Sequence, residues 1–424
     1  MAREIIPSSF KIEFEKILNR KYFSKKVHQI RKNAFDNLLE RGLPNRKWED
    51  WRFTNLSSIH QGGFRLSEQK DNHTKKLDLS KYGFDTFYSI VIYNGHLQKD
   101  ISSIPDGIQI LSHIDYMKKN DWEVNHPKIS SFDLMNTAFM DSGICIIIEK
   151  GKTIDIPIRL LFISSKNEKL MVSPRIYIDL EESSSLKLLE QHVGDCGEYF
   201  LNVSTIINIS ENANLEHIRI QNNTRKTINM TNVHIEQHEN SIYSFLQFVF
   251  GSILGRLNMY TNLNGKDSDC HLNGVNLSKN GQHLDNHVIT NHHAPHCNSS
   301  QNFKSVLKNK SSGVFNGRTI VHHGADKTDS HQSNKNLLLS KKANMNSNPQ
   351  LEIYTDDVKC SHGSSTGELE SDAIFYMQSR GIDMKTAKGL LVRGFVSEII
   401  DMIDNKDIQH YVINQFEDWI KEKN

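Results

Sequence analysis

The sequence predicts a mainly β protein with helical regions at both ends, and three observations carry that expectation. Residues 143–360 run as short segments in which apolar and polar residues alternate at every second position. Residues 10–43 place Val27, Ile30, Ala34 and Leu38 at spacings of three and four, the period of an amphipathic helix. The last ~55 residues return to that helical spacing.

The first region, residues 1–142, is expected to be helical and then mixed. Gly42 and Pro44 stop the helical pattern of Phe10–Leu43. Residues 64–81 are polar and charged, which suggests a surface excursion. Tyr88–Tyr93 is a strand candidate, with Asn94-Gly95 as its turn.

The second region, residues 143–367, is the β core. Ile218 and Ile220 alternate with His217, Arg219 and Gln221, and Val233 and Ile235 alternate with His234 and Glu236. Apolar positions step along at 218, 235, 246, 259, 275 and 288, separated by Asn, Gly, Ser and Asp turns. This pattern fits a sandwich, a barrel or a β-solenoid. In a solenoid each coil contributes one short strand per face and stacks only on its neighbours.

The third region, residues 368–424, is helical. Asp383 is the expected N-cap of a helix presenting Ala387, Leu390, Leu391, Phe395, Ile399 and Met402. Asp404–Asp407 interrupts it, and a final helix presents Ile408, Tyr411, Val412, Phe416, Trp419 and Ile420. Such a pair packs on its own domain or docks a partner, and the intramolecular arrangement is the usual one.

Composition narrows the function classes. Across 424 residues, 51 Lys and Arg balance 50 Asp and Glu, a net charge of +1, which argues against a polycationic nucleic-acid binder. No apolar run approaches the ~18 residues of a membrane-spanning helix. Met1–Ser9 has no signal-peptide core, so a cytoplasmic protein is expected. The five cysteines are scattered without a C-x-x-C pair, as suits a reducing compartment. Neither a P-loop nor a Rossmann glycine fingerprint is present, so the chain is not expected to hydrolyse ATP.

Two features carry metal-ligating side chains. Cys360 and His362 lie two apart, so a strand would point both to one face, and a thiolate beside an imidazole suits iron or zinc. Two ligands do not close a site, and as a bare pattern the pair is accounted for better as a buried thiol beside an exposed imidazole. Nine of the 21 histidines fall within residues 271–331, including His283, His287, His292 and His296 beside Cys297. They lack zinc-finger spacing, and a polar ladder along strand surfaces accounts for them better. Gly363-Ser-Ser-Thr-Gly367 matches G-x-S-x-G formally. The polar run before it makes a poor nucleophile-elbow strand, so it reads as a small-residue turn.

Several longer motifs occur in one order. They are Pro44-Asn-Arg-Lys-Trp-Glu-Asp-Trp-Arg-Phe-Thr-Asn-Leu56, Gly313-Val-Phe-Asn-Gly-Arg-Thr-Ile-Val321, the Lys327–Ser340 run, Pro349-Gln-Leu-Glu-Ile353, the Asp356–Gly367 segment and Glu370–Ile382. Together they resemble the SufB/SufD family, scaffold proteins of the SUF system of iron–sulfur cluster assembly. Within it the chain resembles the SufD branch. Asn334 stands where SufB proteins carry a cysteine, and Cys360-Ser-His-Gly363 has the SufD form.

The resemblance implies a right-handed parallel β-helix core between the two helical regions. It implies a non-catalytic subunit that pairs with a SufB-like scaffold as a heterodimer and docks a SufC-like ATPase through the C-terminal helices. Phe375, Tyr376, Arg380, Leu391 and Phe395 are the expected docking residues. His362, with Cys360 as a less certain neighbour, would contribute ligands to iron or a transient iron–sulfur cluster at the SufB interface. A reduced flavin in the complex and a homodimer of the isolated chain are further expectations. Two alternatives remain: a SufB-like homodimeric scaffold, against which Asn334 argues, and a β-helix enzyme acting on polysaccharide, against which the helical C-terminus argues.

Overall fold

The computed structural model describes residues 6–20, 23–68, 79–84, 86–98, 105–112, 115–116, 130–140 and 142–421. The chain opens with helices α1 (Ser8–Leu18), α2 (Lys25–Arg41) and α3 (Ser57–Gln61). Short strands β1 (Arg65–Leu66), β2 (Tyr88–Tyr93), β3 (His96–Leu97) and β4 (Ile108–Ser112) follow, then helix α4 (Ser131–Phe139). The core begins with β5 (Gly143–Ile148), β6 (Thr153–Val172), β7 (Arg175–Leu180) and β8 (Ser185–Ile209). It continues through β9 (Asn214–Asn222), β10 (Ile228–Gln237), β11 (Ile242–Val249), β12 (Leu254–Leu263), β13 (Asp269–Ser278) and β14 (His283–His292). Its last strands are β15 (Asn298–Leu307), β16 (Ser312–Val321), β17 (Asp329–Leu338), β18 (Asn344–Ile353) and β19 (Lys359–Gly367). Helices α5 (Ser371–Ser379), α6 (Met384–Ile400) and α7 (Lys406–Lys421) close the described chain.

Along most of the core, strands adjacent in sequence do not pair. β12 lies parallel to β10 and β14, whereas β11 lies parallel to β9 and β13. The chain therefore alternates between two sheets and winds a parallel β-solenoid of about eight turns. Equivalent positions in successive coils, such as His283 and Ser312, are 29 residues apart. The corners need left-handed backbone, and the sequence supplies Asn or Asp at most of them: Asn212, Asn240, Asp267, Asn280 and Asn309 have φ between 52° and 61°, with Ser183, His296 and Lys327 at others. At the N-terminal end, β4 pairs antiparallel with β5 and β3 with β2, so that end is closed by the chain itself.

The apolar steps at 218, 235, 246, 259, 275 and 288 have two destinations. Val233, Ile235, Met259 and Val288 fill the interior with Ile146, Leu188, Phe245 and Phe303. Ile218, Leu246 and Val275 point outward and are covered by α6 and α7 through Val392, Val396, Ile399, Ile408, Val412 and Phe416. The C-terminal helices thus pack on their own solenoid. The expected face of α6 holds in part: Ala387 and Ile399 are buried and Leu391 and Phe395 half-buried. Leu390, however, is exposed while Val392, Val396 and Ile400 are buried, and Met402 lies exposed beyond the helix. Both stripes of this helix are apolar, so its spacing leaves the choice of face open.

The other sheet is covered by the N-terminal helices. Phe10, Phe14, Phe35 and Phe139 pack with Met171, Phe200, Ile228 and Met230. Residues 10–43 form two helices rather than one, and Ser24 caps the second through the Val27 N–H. Residues 64–81 are not simply a surface excursion, because Phe64 and Leu66 are buried and β1 pairs with β6. Residues 69–78 of that segment, and the Met1–Ile5 start, lie outside the described residues.

Charge is also buried inside the solenoid. Glu190 accepts a hydrogen bond from Arg219 Nε (3.1 Å) and lies against His217 (3.2 Å) and His192. Burial opposes its ionisation, but His192, His217 and Arg219 hold it well below the usual carboxylate range. Burial keeps the histidines His192, His283 and His287 below their ordinary 6.5 and pushes His292 down to about 4.

These histidines set a pH dependence. They are neutral in the fold but protonate near 6.5 in the unfolded chain, so they leave stability unchanged above pH 7. As pH falls below 6.5 the unfolded state takes up protons first, and stability declines toward pH 4. Urea unfolding at pH 7.5 and pH 5 should show a clear loss at the lower pH, on the order of 2 kcal/mol from His292 alone. His292→Gln should flatten that loss.

Candidate functional site at the open end of the solenoid

β18 pairs with β16, and β19 pairs with β17. Among the described residues no further strand covers the far edge of either, so both sheets end in free backbone donors and acceptors. The register sets Cys360 opposite Ser330, His362 opposite Gln332, Ser364 opposite Asn334 and Thr366 opposite Asn336. Those four β17 residues are buried in the interior, where Gln332 Nε2 reaches across to Thr319 Oγ1 on the opposite sheet (2.7 Å). Cys360, His362, Ser364 and Thr366 are therefore the inward row of the last coil. With no coil above them, His362, Ser364 and Thr366 are exposed and Cys360 is half-buried. The two-residue spacing does place Cys360 and His362 on one face.

The row is anchored from below. Ser364 Oγ donates to Ser347 Oγ (2.7 Å), and Ser347 Oγ donates to Asn334 Oδ1 (2.7 Å). Asn334 also donates to the Phe303 carbonyl (3.0 Å) and accepts from Asn336 (2.7 Å), so it is a buried ladder residue one coil below the row. His362 has no hydrogen bond to the described residues, and a Cβ added at Gly363 or Gly367 would meet nothing within 4 Å. Burial and the Asp329 carboxylate push the Cys360 thiol above its ordinary value, so a soft cation would have to displace its proton. No group of three or more His, Cys, Asp or Glu among the described residues could hold a metal ion. Two side chains are half of a tetrahedral set.

The formal G-x-S-x-G segment is not a turn. It lies within β19, because the backbone of β17 supplies a parallel template that overrides its polar composition. The histidine-rich stretch does not form one ladder. His271 and His331 face outward and bond Ser300 (3.0 Å) and Ser361 (2.6 Å), while His292 is internal and bonds Ser299 (2.8 Å). His293 stacks on His322 (4.2 Å) at a corner. Cys297 is internal and donates to the Gly265 carbonyl (3.2 Å), and His296 occupies a left-handed turn position. His283 and His287 flank Asp285 under the N-terminal motif.

That motif has a physical role that sequence spacing does not disclose. Arg256 lies between the Trp51 ring (3.6 Å) and Asp285 (2.6 Å) and donates to the Asp50 carbonyl (2.8 Å). Thr54 Oγ1 donates to Asp285 (2.5 Å) and contacts His283 Nε2 (2.9 Å). Burial opposes ionisation of Asp285, but Arg256 and His287 hold it below the carboxylate range. The Trp48–Thr54 segment is thereby clamped onto the outer face of β12 and β14.

The expected docking residues separate. Phe375 and Tyr376 on α5 are 73% and 61% exposed, and Arg380 lies over the Tyr376 ring at 5.4 Å. Leu391 is half-buried. Phe395 packs against the solenoid, where its carbonyl accepts from Lys304 (2.8 Å).

A solenoid clamped on both outer faces, with an uncapped last coil displaying one thiol and one imidazole, has the form of a scaffold whose site is unfinished. Comparison with known proteins gives the family. Residues 162–395 match the family model described as SUF system FeS cluster assembly, SufBD core domain, and residues 12–160 match the SufBD protein N-terminal region. The chain belongs to the SufB/SufD family of iron–sulfur cluster assembly proteins. It is SufD-like by homology. The iron–sulfur cluster assembly protein SufD of Escherichia coli is 27% identical over 395 residues, covering 89% of each chain. Protein ABCI7, chloroplastic, of Arabidopsis thaliana is 29% identical over 406 residues, covering 92% of this chain and 85% of that one. SufD of Plasmodium falciparum is 25% identical over 245 residues, 57% of this chain and 17% of that longer protein.

The clamp predicts a stability effect. Arg256→Met leaves the Asp285 carboxylate buried without its cation and should cost about 3–5 kcal/mol in urea unfolding. Arg256→Met with Asp285→Leu should recover much of that loss, since both charges are then gone.

Proposed function

We propose that this chain is the SufD-like, non-catalytic subunit of a SUF assembly complex, and that its open coil completes an iron or nascent-cluster site together with a SufB-like partner. The observation that carries this reading is the inward row of the last coil. Cys360 and His362 end a column of side chains that another coil of the same fold could continue. A partner solenoid joined to β18 and β19 would satisfy their free backbone groups and bring its own ligands above His362. The iron or cluster is cargo in this arrangement, and thiolates from the partner would supply the remaining ligands. His362 is the stronger contributor, because its ring is exposed and unengaged, whereas the Cys360 proton must first be displaced.

The α5 surface with Phe375, Tyr376 and Arg380 is the docking face for a SufC-like ATPase in this reading, with exposed Leu390 beside Leu391. Movement of that subunit would act on the solenoid through α6 and α7, which cover one outer face over several coils. A reduced flavin, if the complex carries one, is assigned no residue of this chain. The five cysteines are all unpaired, which fits a reducing compartment such as the cytoplasm. No described helix is long and apolar enough to cross a membrane. A polysaccharide-acting enzyme finds no support in the exposed row of Cys, His, Ser and Thr, which lacks a carboxylate pair.

Co-expression with SufB-like and SufC-like partners tests the reading. His362→Ala should leave the complex intact by size-exclusion chromatography and reduce bound iron and cluster severalfold, with Cys360→Ser having a smaller effect. A His362→Ala complex that loads iron and clusters normally would remove His362 from the site.

A further inference from the structure

A second cavity lies beside the end of the last coil, between the solenoid corners and the C-terminal helices. Its volume is about 590 Å³, within the range of small-molecule sites. Five lysines line it: Lys308 and Lys341 from the corners, Lys385 and Lys388 from α6, and Lys421 from α7. Lys421 pairs with Glu417 (3.0 Å), whereas Lys308, Lys341, Lys385 and Lys388 make no ion pair with the described residues. One carboxylate, Glu368, lines the same space. In a chain whose net charge is only +1, this gathering of ammonium groups around one cavity is a local excess. Their mutual repulsion is relieved by an anion placed among them.

Apart from Asn309 and Ser340, the remaining side chains of the lining are apolar. Leu339, Leu369, Trp419 and Ile420 contribute, and Trp419 is 4% exposed, so the indole is part of the packed wall. The Asp383 side chain already caps the N-terminus of α6 by accepting from the Lys385 and Thr386 N–H groups, so the positive character comes from the side chains and not from that terminus. Lysine recognises phosphate as a mobile point charge, while an apolar wall favours a ring. A free phosphate would use only the rim and a neutral ring only the wall.

We infer that this cavity binds a small phosphorylated molecule with a ring-bearing apolar portion, of mononucleotide size. The site is distinct from the Cys360/His362 row and does not depend on metal bound there. It lies at the junction through which α6 and α7 seat on the solenoid, so its occupancy would stiffen that junction.

The test uses the full chain and AMP as probe, with inorganic phosphate and adenosine beside it, read by calorimetry and by tryptophan fluorescence. AMP should bind saturably and more tightly than either fragment. The Lys308→Glu, Lys388→Glu double variant should weaken AMP at least tenfold, about 1.4 kcal/mol. Reversing the exposed Lys32 and Lys47 of the N-terminal region, outside the cavity lining, should leave it unchanged. Circular dichroism and thermal unfolding of each variant verify that the fold persists. The inference is overturned if AMP fails to bind by 10 mM, a ceiling of about −2.7 kcal/mol. Equal binding by adenosine, or equal weakening in the Lys32/Lys47 control, would also overturn it.

Discussion

A parallel β-solenoid satisfies the backbone N–H and C=O groups of each coil only through the coil before it and the coil after it. The interior strands here obey that rule, with residue-for-residue register from β8 through β17. The first coils are closed by antiparallel strands, but β18 and β19 have no following neighbour among the described residues. The interior beside the open end carries Gln332, Asn334 and Asn336 of β17, while the coils before it mix apolar residues such as Ile146, Leu188, Ile207 and Phe303 with the buried Glu190 cluster. An uncapped apolar interior would be exposed to water at its mouth. A polar one bonded across the two sheets tolerates that mouth and keeps the last inward row, Cys360 to Thr366, in register.

The same constraint explains the two clamps. A stack whose coils touch only their neighbours has no long-range contact to hold it, so elements lying along several coils add cooperativity. Helices α6 and α7 run along one outer face from Leu189 to Leu337. The N-terminal helices and the Trp51–Thr54 segment hold the other, where Arg256 and Asp285 form a buried pair under Trp51. Breaking such a pair costs more than forming it returns, so its presence speaks for a fixed geometry of that segment more than for raw stability. The Glu190 cluster inside the solenoid has the same character.

Much of this is legible in local chemistry. The period-two segments, the Asn and Asp corners, the Asp383 cap, the Asn94-Gly95 turn and the shared face of Cys360 and His362 all follow from it. The face of α6 does not, because Leu390 and Val392 are both strongly apolar and only the solenoid surface selects between them. The Gly363–Gly367 segment reads as a turn yet folds as a strand for a related reason: its own residues favour none of the regular structures strongly, and β17 imposes the pairing. The lysine-lined cavity draws its walls from residues 308 to 421, so no window of sequence contains it.

The class of each segment, and the motifs that place the chain in its family, can be read along the chain. Alternation, helical period and turn chemistry are properties of neighbouring residues, which is why they survive without a fold. The destination of each strand's apolar residues is not a property of neighbours. Ile235 and Leu246 look alike in sequence, yet the first fills the interior and the second lies under α6 and α7. The position of Cys360 and His362 on the last, uncovered coil is of the same kind. Inside and outside, covered and open, are relations between coils 29 residues apart, and backbone pairing across that distance is what settles them.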